Sequence, residues 1–184
     1  MNEIQDRRIL KTQSALLSAF LKLILEQGYE KLKVASVAEL ANVGRSTFYE
    51  HYRTKRDLLK ASVSQPFAHL ADLADPDADI SILSHVLVHF RDQNQIARTL
   101  LSGPTRPILS AVLASLVSIR LKNRSLAFPL IASEILARQI ADAQLSLLEV
   151  WVSGRPACGL ENIVRALKIT TVALIDSVST EIQS

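Results

Sequence analysis

A short polar stretch between residues 45 and 55 carries side chains suited to chemistry with another molecule. At about 100° per residue, a helix over Arg45–Tyr52 places Phe48 and Tyr52 on one inward face. Ser46 and Glu50 then point away from the core. Small polar side chains on an outer face fit the major groove of DNA, because they let the helix approach and bond to base edges.

The expected roles follow from the donors and acceptors that each side chain carries. Arg45 can make a two-pronged contact to guanine, and Glu50 can accept from cytosine although it repels phosphate. Hydroxyl side chains can bond to base edges or to phosphate oxygens, and cations at the ends of the short helices can bind the flanking phosphates. The candidate DNA-binding residues are Lys33, Arg45, Ser46, Thr47, Tyr49, Glu50, His51 and Lys55. Short helical pairs also occur in many all-α proteins that never bind DNA, and Tyr49 and His51 could be ordinary half-buried residues.

Two helical segments must position this stretch. Apolar residues recur at helical spacing from Gln5 to Gln27, and Gly28 is expected to end that helix with left-handed backbone. A short one-faced helix is predicted over Val34–Ala41, and residues 43–44 separate it from the polar stretch. A longer helix followed by two short ones joined by a tight turn predicts a helix-turn-helix unit.

Composition and charge support that interpretation. The chain has 184 residues, of which 48% are hydrophobic and 21% charged, and this is typical of a globular protein. Its 5 glycines and 6 prolines speak against a turn-rich all-β fold. The first 60 residues carry 11 Lys/Arg against 7 Asp/Glu, and the rest carry 10 against 11. A basic N-terminal part favours a polyanionic partner.

Other classes of protein are not expected. Cys158 is the one cysteine, which excludes an internal disulfide and a Cys-based zinc cluster. The longest nearly apolar run, Ile108–Ile119, is shorter than the roughly 18–20 residues that span a bilayer. The charged N-terminus has no apolar signal core, so a soluble cytoplasmic protein without a membrane partner is expected. No hydrolase, nucleotide-binding or zinc-protease motif appears, and an enzyme is not expected.

The segment from Lys33 to Lys55, KVASVAELANVGRSTFYEHYRTK, resembles the DNA-binding domain of the TetR/AcrR family of bacterial transcriptional regulators. The family's paired apolar residues, turn, Thr-Phe-Tyr run, His-aromatic pair and lysine appear at Val34, Val37-Ala38, Ala41–Gly44, Thr47–Tyr49, His51-Tyr52 and Lys55. The resemblance covers roughly residues 7–60 and places the candidate residues of the polar stretch at DNA-contacting positions. It also implies that Arg7, Arg8 and Lys11 match a basic arm ahead of the first helix.

Three residues depart from the family's pattern. Lys33 replaces the Thr that caps the first short helix, so the cap must come from elsewhere, for example from Ser36 after a shorter start. Asn42 replaces the turn glycine and tolerates left-handed backbone. Gly44 replaces the usual Ser cap of the recognition helix at a small energetic cost. None of the three changes the expected fold.

The expected fold is all-α with two domains. Residues 1–60 form a three-helix DNA-binding domain, with the helix-turn-helix at about 33–52, and residues 61–184 form a helical regulatory and dimerisation domain. An Asp-rich loop at residues 72–79 is the predicted link between them. The helices predicted in the second domain are Ile80–Phe90, Gln93–Leu101, Pro107–Lys122, Pro129–Val152 and Leu160–Ile182.

The last two predicted helices are apolar on more than one face, so each needs two partners. A homodimer that pairs them in a four-helix bundle supplies these partners, whereas the alternative is a core within one chain. Two recognition helices would then meet successive major grooves of a palindromic operator, about 34–36 Å apart. The expected interface residues are Leu136, Ile140, Leu147, Trp151, Leu160, Val164, Leu167, Leu174 and Val178.

A ligand among the second-domain helices would change that spacing, with the helix from Lys55 to Ala71 as the lever. The candidate polar groups of an effector pocket are His85, His89, Arg120 and Gln144. The two histidines have metal-ligand spacing, but no acidic or Cys third ligand is near, so no metal is expected. The apolar surroundings favour a hydrophobic or amphipathic effector, and no cofactor is expected. A ligand-independent regulator and a helical protein-interaction module remain alternatives.

Overall fold

The chain folds almost entirely into helices, as expected. The structure, a computed structural model, describes residues 3–124 and 126–181. The described chain divides into two compact units, which we call the head, up to Ser62, and the body, from Val63 onward. The expected boundary was after residue 60. The predicted all-α class, with an N-terminal helix-turn-helix and a helical body, is confirmed.

The head contains a long helix followed by two short ones. The elements are α1 (Glu3–Lys31), α2 (Val34–Leu40), α3 (Arg45–His51) and the first part of α4 (Lys55–Ala71). Gly28 has the expected positive φ of 77°, with ψ at 161°, and helical backbone lies on both sides of it. The buried apolar side chains of the head include Leu16, Phe20, Ile24, Val37, Phe48, Leu58 and Leu59.

The basic residues Arg7, Arg8 and Lys11 lie inside α1 and not on an arm ahead of it. This corrects the expectation drawn from the family pattern. The reason is local: no glycine or proline occurs before Gly28, so nothing stops the helix from extending toward the N-terminus.

The five helices predicted for the body are all present, although their ends differ. They are α5 (Ser81–Asp92), α6 (Asn94–Leu101), α7 (Arg106–Lys122), α8 (Ser133–Ser153) and α9 (Leu160–Asp176). Turns of 3₁₀ helix lie at Asp72–Ala74 and Gly103–Thr105. In the body, α8 packs against α6, α7 and α9, so it is the central helix of the bundle.

Two predicted helix ends are wrong. The helix expected from Pro129 begins at Ser133, and the one expected to reach Ile182 ends at Asp176. The strand β2 (Thr180–Glu181) pairs antiparallel with β1 (Leu126–Ala127), so the backbone at the predicted end of the last helix bonds across strands instead of along a helix. At the start of α8, Ala132 has extended backbone, with φ −63° and ψ 141°. Ile182 itself lies outside the described residues.

Polar side chains tie α7 to α8. Arg106 donates from Nη2 to the Asp142 carbonyl and to Ser146 Oγ, both at 3.1 Å, and its Nη1 lies 3.4 Å from Glu149 Oε2. Ser110 donates to the Asp142 carboxylate. Across the described ranges no single helix is long and apolar enough to cross a membrane. Two helical segments taken together, Asn94–Leu101 and Gly103–Lys122, have sufficient length and apolar composition, but the angle between them is 64°.

Candidate nucleic-acid interface

The turn between α2 and α3 is closed by backbone hydrogen bonds. Ala41 N donates to Val37 O at 2.9 Å, and Val43 N donates to Ala38 O at 3.0 Å. Asn42 has a φ of 54°, the left-handed geometry expected of it. These bonds fix the angle at which α3 leaves α2, which is the purpose of the turn in a helix-turn-helix unit.

Neither short helix has a side-chain cap at its start. Lys33 precedes α2 and Gly44 precedes α3, both with extended backbone. Ser36 does not serve as an alternative start, since α2 begins at Val34 and Ser36 N donates to the Lys33 carbonyl at 3.1 Å. A capping side chain in place of Lys33 should therefore stabilise the protein, by about 1 kcal/mol for a typical cap.

The inward and outward faces of α3 are those that the residue spacing predicts. Phe48 is fully buried and Tyr52 nearly so, whereas Tyr49 is 56% exposed. The Phe48 ring meets Tyr49 edge-on at 5.5 Å and Tyr52 at 6.0 Å between centroids. An aromatic layer thus supports α3 from within and orients the Tyr49 ring at the surface.

Three polar side chains at the surface of α3 have no partner among the residues that the structure describes. Arg45, Ser46 and Glu50 are exposed, and in residues 3–124 and 126–181 their side chains have no hydrogen bond or ion pair. Thr47 and His51 flank this face and are half-buried. We call Arg45, Ser46, Thr47, Tyr49, Glu50 and His51 the outer face of α3.

Lys55 does not belong with these unpaired groups. Its Nζ donates to the carbonyl oxygens of Tyr29, Glu30 and Leu32 at 2.8, 2.9 and 3.0 Å. The Tyr29 ring lies beneath the same ammonium, with its centroid 4.7 Å away. The phosphate contact of Lys55 stays a prediction, and in this structure the donors of its ammonium are used inside the head.

Other cations of the head remain at the surface. Lys33 is exposed directly before α2, and Arg53 and Arg56 are exposed near the end of α3. Sequence reasoning missed Arg53 and Arg56, although the excess positive charge of the first 60 residues was the signal for them. Burial raises the pKa of the Tyr29 hydroxyl, and the nearby Arg56 charge only partly offsets that effect.

Comparison with known proteins matches this geometry. The family model described as bacterial regulatory proteins of the tetR family matches residues 16–62. A TetR transcriptional regulator from Streptococcus agalactiae 2603V is 30% identical, with 93% of this chain and 99% of that chain covered and a TM-score of 0.58. The chain belongs to the TetR family of transcriptional regulators. The resemblance that the sequence showed is confirmed.

Two further likenesses differ in reach. The helix-turn-helix regulator YxbF of Bacillus subtilis strain 168 is 35% identical over 68 residues, which are 36% of this chain and 18% of that regulator. This chain thus spans less than a third of the curated relatives it matches. A TetR-family regulator from Streptomyces coelicolor A3 shares the fold at 16% identity, with 90% and 94% coverage and a TM-score of 0.61. TetR-family proteins are generally transcription factors, and no enzymatic family is indicated.

The polar groups expected to form an effector pocket lie in three different settings in this TetR-family chain. His85 and His89 are exposed on α5. Arg120 is bound to Asp72, with Nε 2.8 Å from Oδ1. Gln144 is buried, and its Nε2 donates to Leu70 O at 3.1 Å and to Thr171 Oγ1 at 2.9 Å.

These settings correct the expectation of one shared pocket. In the described part of the chain no hydrogen bond joins two of these four residues. No group of three His, Cys, Asp or Glu side chains there could hold a metal ion. Gln144 alone retains a feature of a binding group, because its Oε1 is buried and no described residue donates to it. Leaving such an acceptor unpaired costs about 1–3 kcal/mol.

Half of the expected dimer stripe lies inside the subunit. Leu136, Ile140 and Leu167 are fully buried in the body, and Trp151 and Val164 nearly so, which leaves no surface for a second chain. The physical reason is that α8 is central and uses this stripe against α6, α7 and α9. The remaining residues of the stripe are half-exposed: Leu147, Leu160, Leu174 and Val178.

A different apolar face of α8 and α9 is open. Ile135 and Val150 on α8 are 58% and 50% exposed, and Ile169 on α9 is 56% exposed. A groove of about 340 Å³ lies beside Val150. Its lining residues are Ser146, Leu147, Val150, Trp151, Pro156, Cys158, Ile163 and Ala166. The residue spacing alone did not distinguish this face from the buried one, because both have apolar residues at helical intervals.

Proposed function

We propose that this protein is a repressor that binds a palindromic operator as a homodimer and leaves it when a small molecule binds the body. The observation that carries the proposal is the outer face of α3, where Arg45, Ser46 and Glu50 are exposed and have no partner among the described residues, on the side opposite the buried Phe48. Groups that bond neither to the protein nor to one another are available to base edges and phosphates. The protein would act in the cytoplasm, where the operator lies.

Each residue of the outer face has a separate role in this proposal. Arg45 binds a guanine through two parallel hydrogen bonds, and Glu50 accepts from a cytosine amino group. Ser46 and Thr47 reach base edges or phosphate, while Tyr49 donates its hydroxyl to a phosphate. The surrounding phosphate ligands are His51, Lys33, Arg7, Arg8 and Lys11.

Selection from a random duplex library tests the DNA-binding part. The purified protein should enrich duplexes that contain an inverted repeat, and binding should weaken steeply as salt rises, because phosphate contacts release counterions. Enrichment of single half-sites without a repeat would contradict the palindromic operator. Failure to bind any duplex at low ionic strength would contradict the function as a whole.

A second copy of the chain is the proposed occupant of the open apolar face of α8 and α9. Exposed isoleucine and valine side chains beside a groove are unfavourable in water, and pairing two such faces would form a four-helix bundle. A twofold dimer also presents the two α3 helices that an inverted repeat requires.

Light scattering at micromolar concentration tests the dimer. Val150→Glu places a charge in the groove of the proposed interface and should yield a monomer. The matched control is Ile119→Glu on α7, where an isoleucine is 48% exposed but lies outside the groove. Equal dimer content in both variants would remove this face as the interface.

Regulation by an effector is supported by the unpaired Oε1 of Gln144. A ligand that donates a hydrogen bond there would satisfy a buried acceptor, and the apolar residues around it favour an amphipathic molecule. A panel of fatty alcohols, amides and phenols should contain molecules that raise the melting temperature and release the selected duplex. Hits that stabilise Gln144→Leu as strongly as the wild type would place the ligand elsewhere. A panel with no hit would favour the ligand-independent regulator.

A further inference from the structure

Lys55, the first residue of α4, directs its ammonium group at the end of α1. Its Nζ lies 2.8, 2.9 and 3.0 Å from the carbonyl oxygens of Tyr29, Glu30 and Leu32. The same atom lies 4.7 Å from the centroid of the Tyr29 ring. An ammonium carries three protons and accepts nothing. All three protons therefore have a backbone acceptor within the head.

These carbonyl groups need a donor because they follow a break in α1. Gly28 has a φ of 77° and a ψ of 161°, outside the helical region, and α1 ends at Lys31. The last carbonyls of a helix have no partner within it. The Tyr29 ring meets Phe20 edge-on at 6.5 Å, and Phe20 is fully buried. The acceptor end of the Lys55 contact is thus fixed to the core of the head.

The other end is fixed by the start of α4. Asp57 N donates to Thr54 Oγ1 at 3.2 Å, and that hydroxyl donates to Asp57 Oδ2 at 2.9 Å, so the first turn of α4 is capped. Tyr52 closes α3 by donating its amide to the Phe48 carbonyl at 2.8 Å. Only two residues separate Tyr52 from Lys55. The position of Lys55 therefore constrains the end of α3.

From these contacts we infer that Lys55 is a positioning residue, which holds the recognition helix α3 in register with α1 and does not bind phosphate itself. The inference deepens the proposed DNA-binding function and rests on it. A phosphate could gain a proton from Lys55 only if one of the three carbonyls lost its donor. That loss leaves a partly buried acceptor unpaired, and it also draws the cation from the Tyr29 ring.

Salt titration separates a positioning residue from a phosphate ligand. Each phosphate contact that is lost lowers the slope of log K against log salt by about one. The probe is the duplex that the wild type selects, and the variants are Lys55→Met and the matched Lys33→Met, which removes an exposed lysine. Lys55→Met should lose about tenfold or more in affinity with the wild-type slope, whereas Lys33→Met should lower the slope. An equal lowering of the slope in Lys55→Met would overturn the inference.

A second readout needs no DNA, so it stands even if the wild type binds no duplex and the proposed function fails. Backbone amide shifts in a ¹H–¹⁵N spectrum report the position of α3. The amides of Arg45–His51 should shift in Lys55→Met and stay in place in Lys33→Met. Unchanged α3 amides in Lys55→Met would overturn the inference.

Lys55→Arg decides the question if Lys55→Met does not fold by circular dichroism. Arginine keeps the charge that a phosphate needs, but its planar group cannot send three protons to three converging carbonyls. Reduced affinity in a folded Lys55→Arg protein supports positioning. Wild-type affinity in that variant would overturn it.

Discussion

The outer face of α3 in the head and the helices of the body use their charged side chains in opposite ways. On the outer face of α3, Arg45 and Glu50 are exposed and have no partner in the described ranges. In the body, Arg120 binds Asp72, Arg106 joins α7 to α8, and Arg124 donates to the Ala74 carbonyl at 2.9 Å. Charge that is paired within the fold stabilises it, whereas unpaired charge on an ordered helix is available to a partner.

This contrast does not hold for every charged side chain, because a lysine in each unit bonds to backbone carbonyl oxygens. Lys168 on α9 donates to the carbonyls of Asp75 and Pro76 at 2.5 and 3.3 Å, much as Lys55 serves the end of α1. Burial lowers the pKa of the Lys168 ammonium, an effect to which Arg124 adds and which Asp75 and Asp77 oppose. A lysine in a basic region is thus not by position alone a ligand of DNA.

The largest effect is expected from Phe48→Ala, which removes the buried support of α3. Such truncations cost about 3–5 kcal/mol, and a domain of this size buries less surface to offset the loss than a larger one. We expect hydrogen-exchange protection to disappear from α2 and α3 and DNA binding to disappear with it. The comparison is Leu145→Ala in α8, where another fully buried side chain is lost.

Leu145→Ala should lower protection in the body by about 2–5 kcal/mol, while the selected duplex is still preferred over a scrambled one. If both substitutions abolished DNA binding and left equal hydrogen-exchange protection in α3, the order of α3 and its binding to DNA would not depend specifically on the core of the head.

An intermediate effect is expected from two arginines, one unpaired and one paired. Arg45→Ala should cost about 1–3 kcal/mol of discrimination at one or two base positions, with an unchanged melting temperature. Arg120→Ala should leave base preference unchanged and lower the melting temperature. Its ion pair has side chains 32% and 36% exposed, so screening limits its contribution to about 1 kcal/mol or less.

Binding to a panel of single-base operator variants measures the first effect, and thermal unfolding followed by circular dichroism measures the second. The contrast between paired and unpaired charge fails if Arg45→Ala lowers the melting temperature as much as Arg120→Ala does. It also fails if Arg120→Ala changes which bases are preferred.

The fold and the outer face of α3 could be predicted because both depend on local pattern. The four-residue spacing of Phe48 and Tyr52 is enough to orient a short helix, and it left Ser46 and Glu50 outside. Gly28 and Asn42 have the positive φ that their residue types indicate. These are properties of neighbours along the chain.

What the sequence could not predict depends on residues far apart along it. The carbonyls that receive the Lys55 protons lie 23–26 residues earlier. The choice between the two apolar stripes of α8 depends on which neighbours cover it, so Ile140 and Leu136 were placed at an interface although they are core. The early end of α9 likewise depends on the pairing of Thr180 with Ala127.

The smallest effect tests the paired charge of the body through pH. Burial raises the pKa of the Asp142 carboxyl, but hydrogen bonds from Ser110 and Arg138 and the charges of Arg138 and Arg106 outweigh burial, so the pKa lies below its ordinary value of 3.8. The unfolded chain then takes up the proton first on acidification. The stabilisation that the Asp142 carboxylate contributes is complete at pH values above its ordinary pKa and is lost as the pH falls through the lower pKa of the folded protein.

Asp142→Asn should therefore melt below the wild type at pH 7, and the gap should close as pH falls below about 4. The gap should stay under about 1 kcal/mol, because the carboxylate is partly exposed and screened. In a Ser110→Ala background the same substitution should have a smaller effect, since the hydrogen bond is already absent. A difference in melting temperature that is constant from pH 7 to strongly acidic pH would show that Asp142 acts through packing. Its charge would then contribute nothing to the stability of the body, as Glu50, without a partner among the described residues, contributes nothing to that of the head.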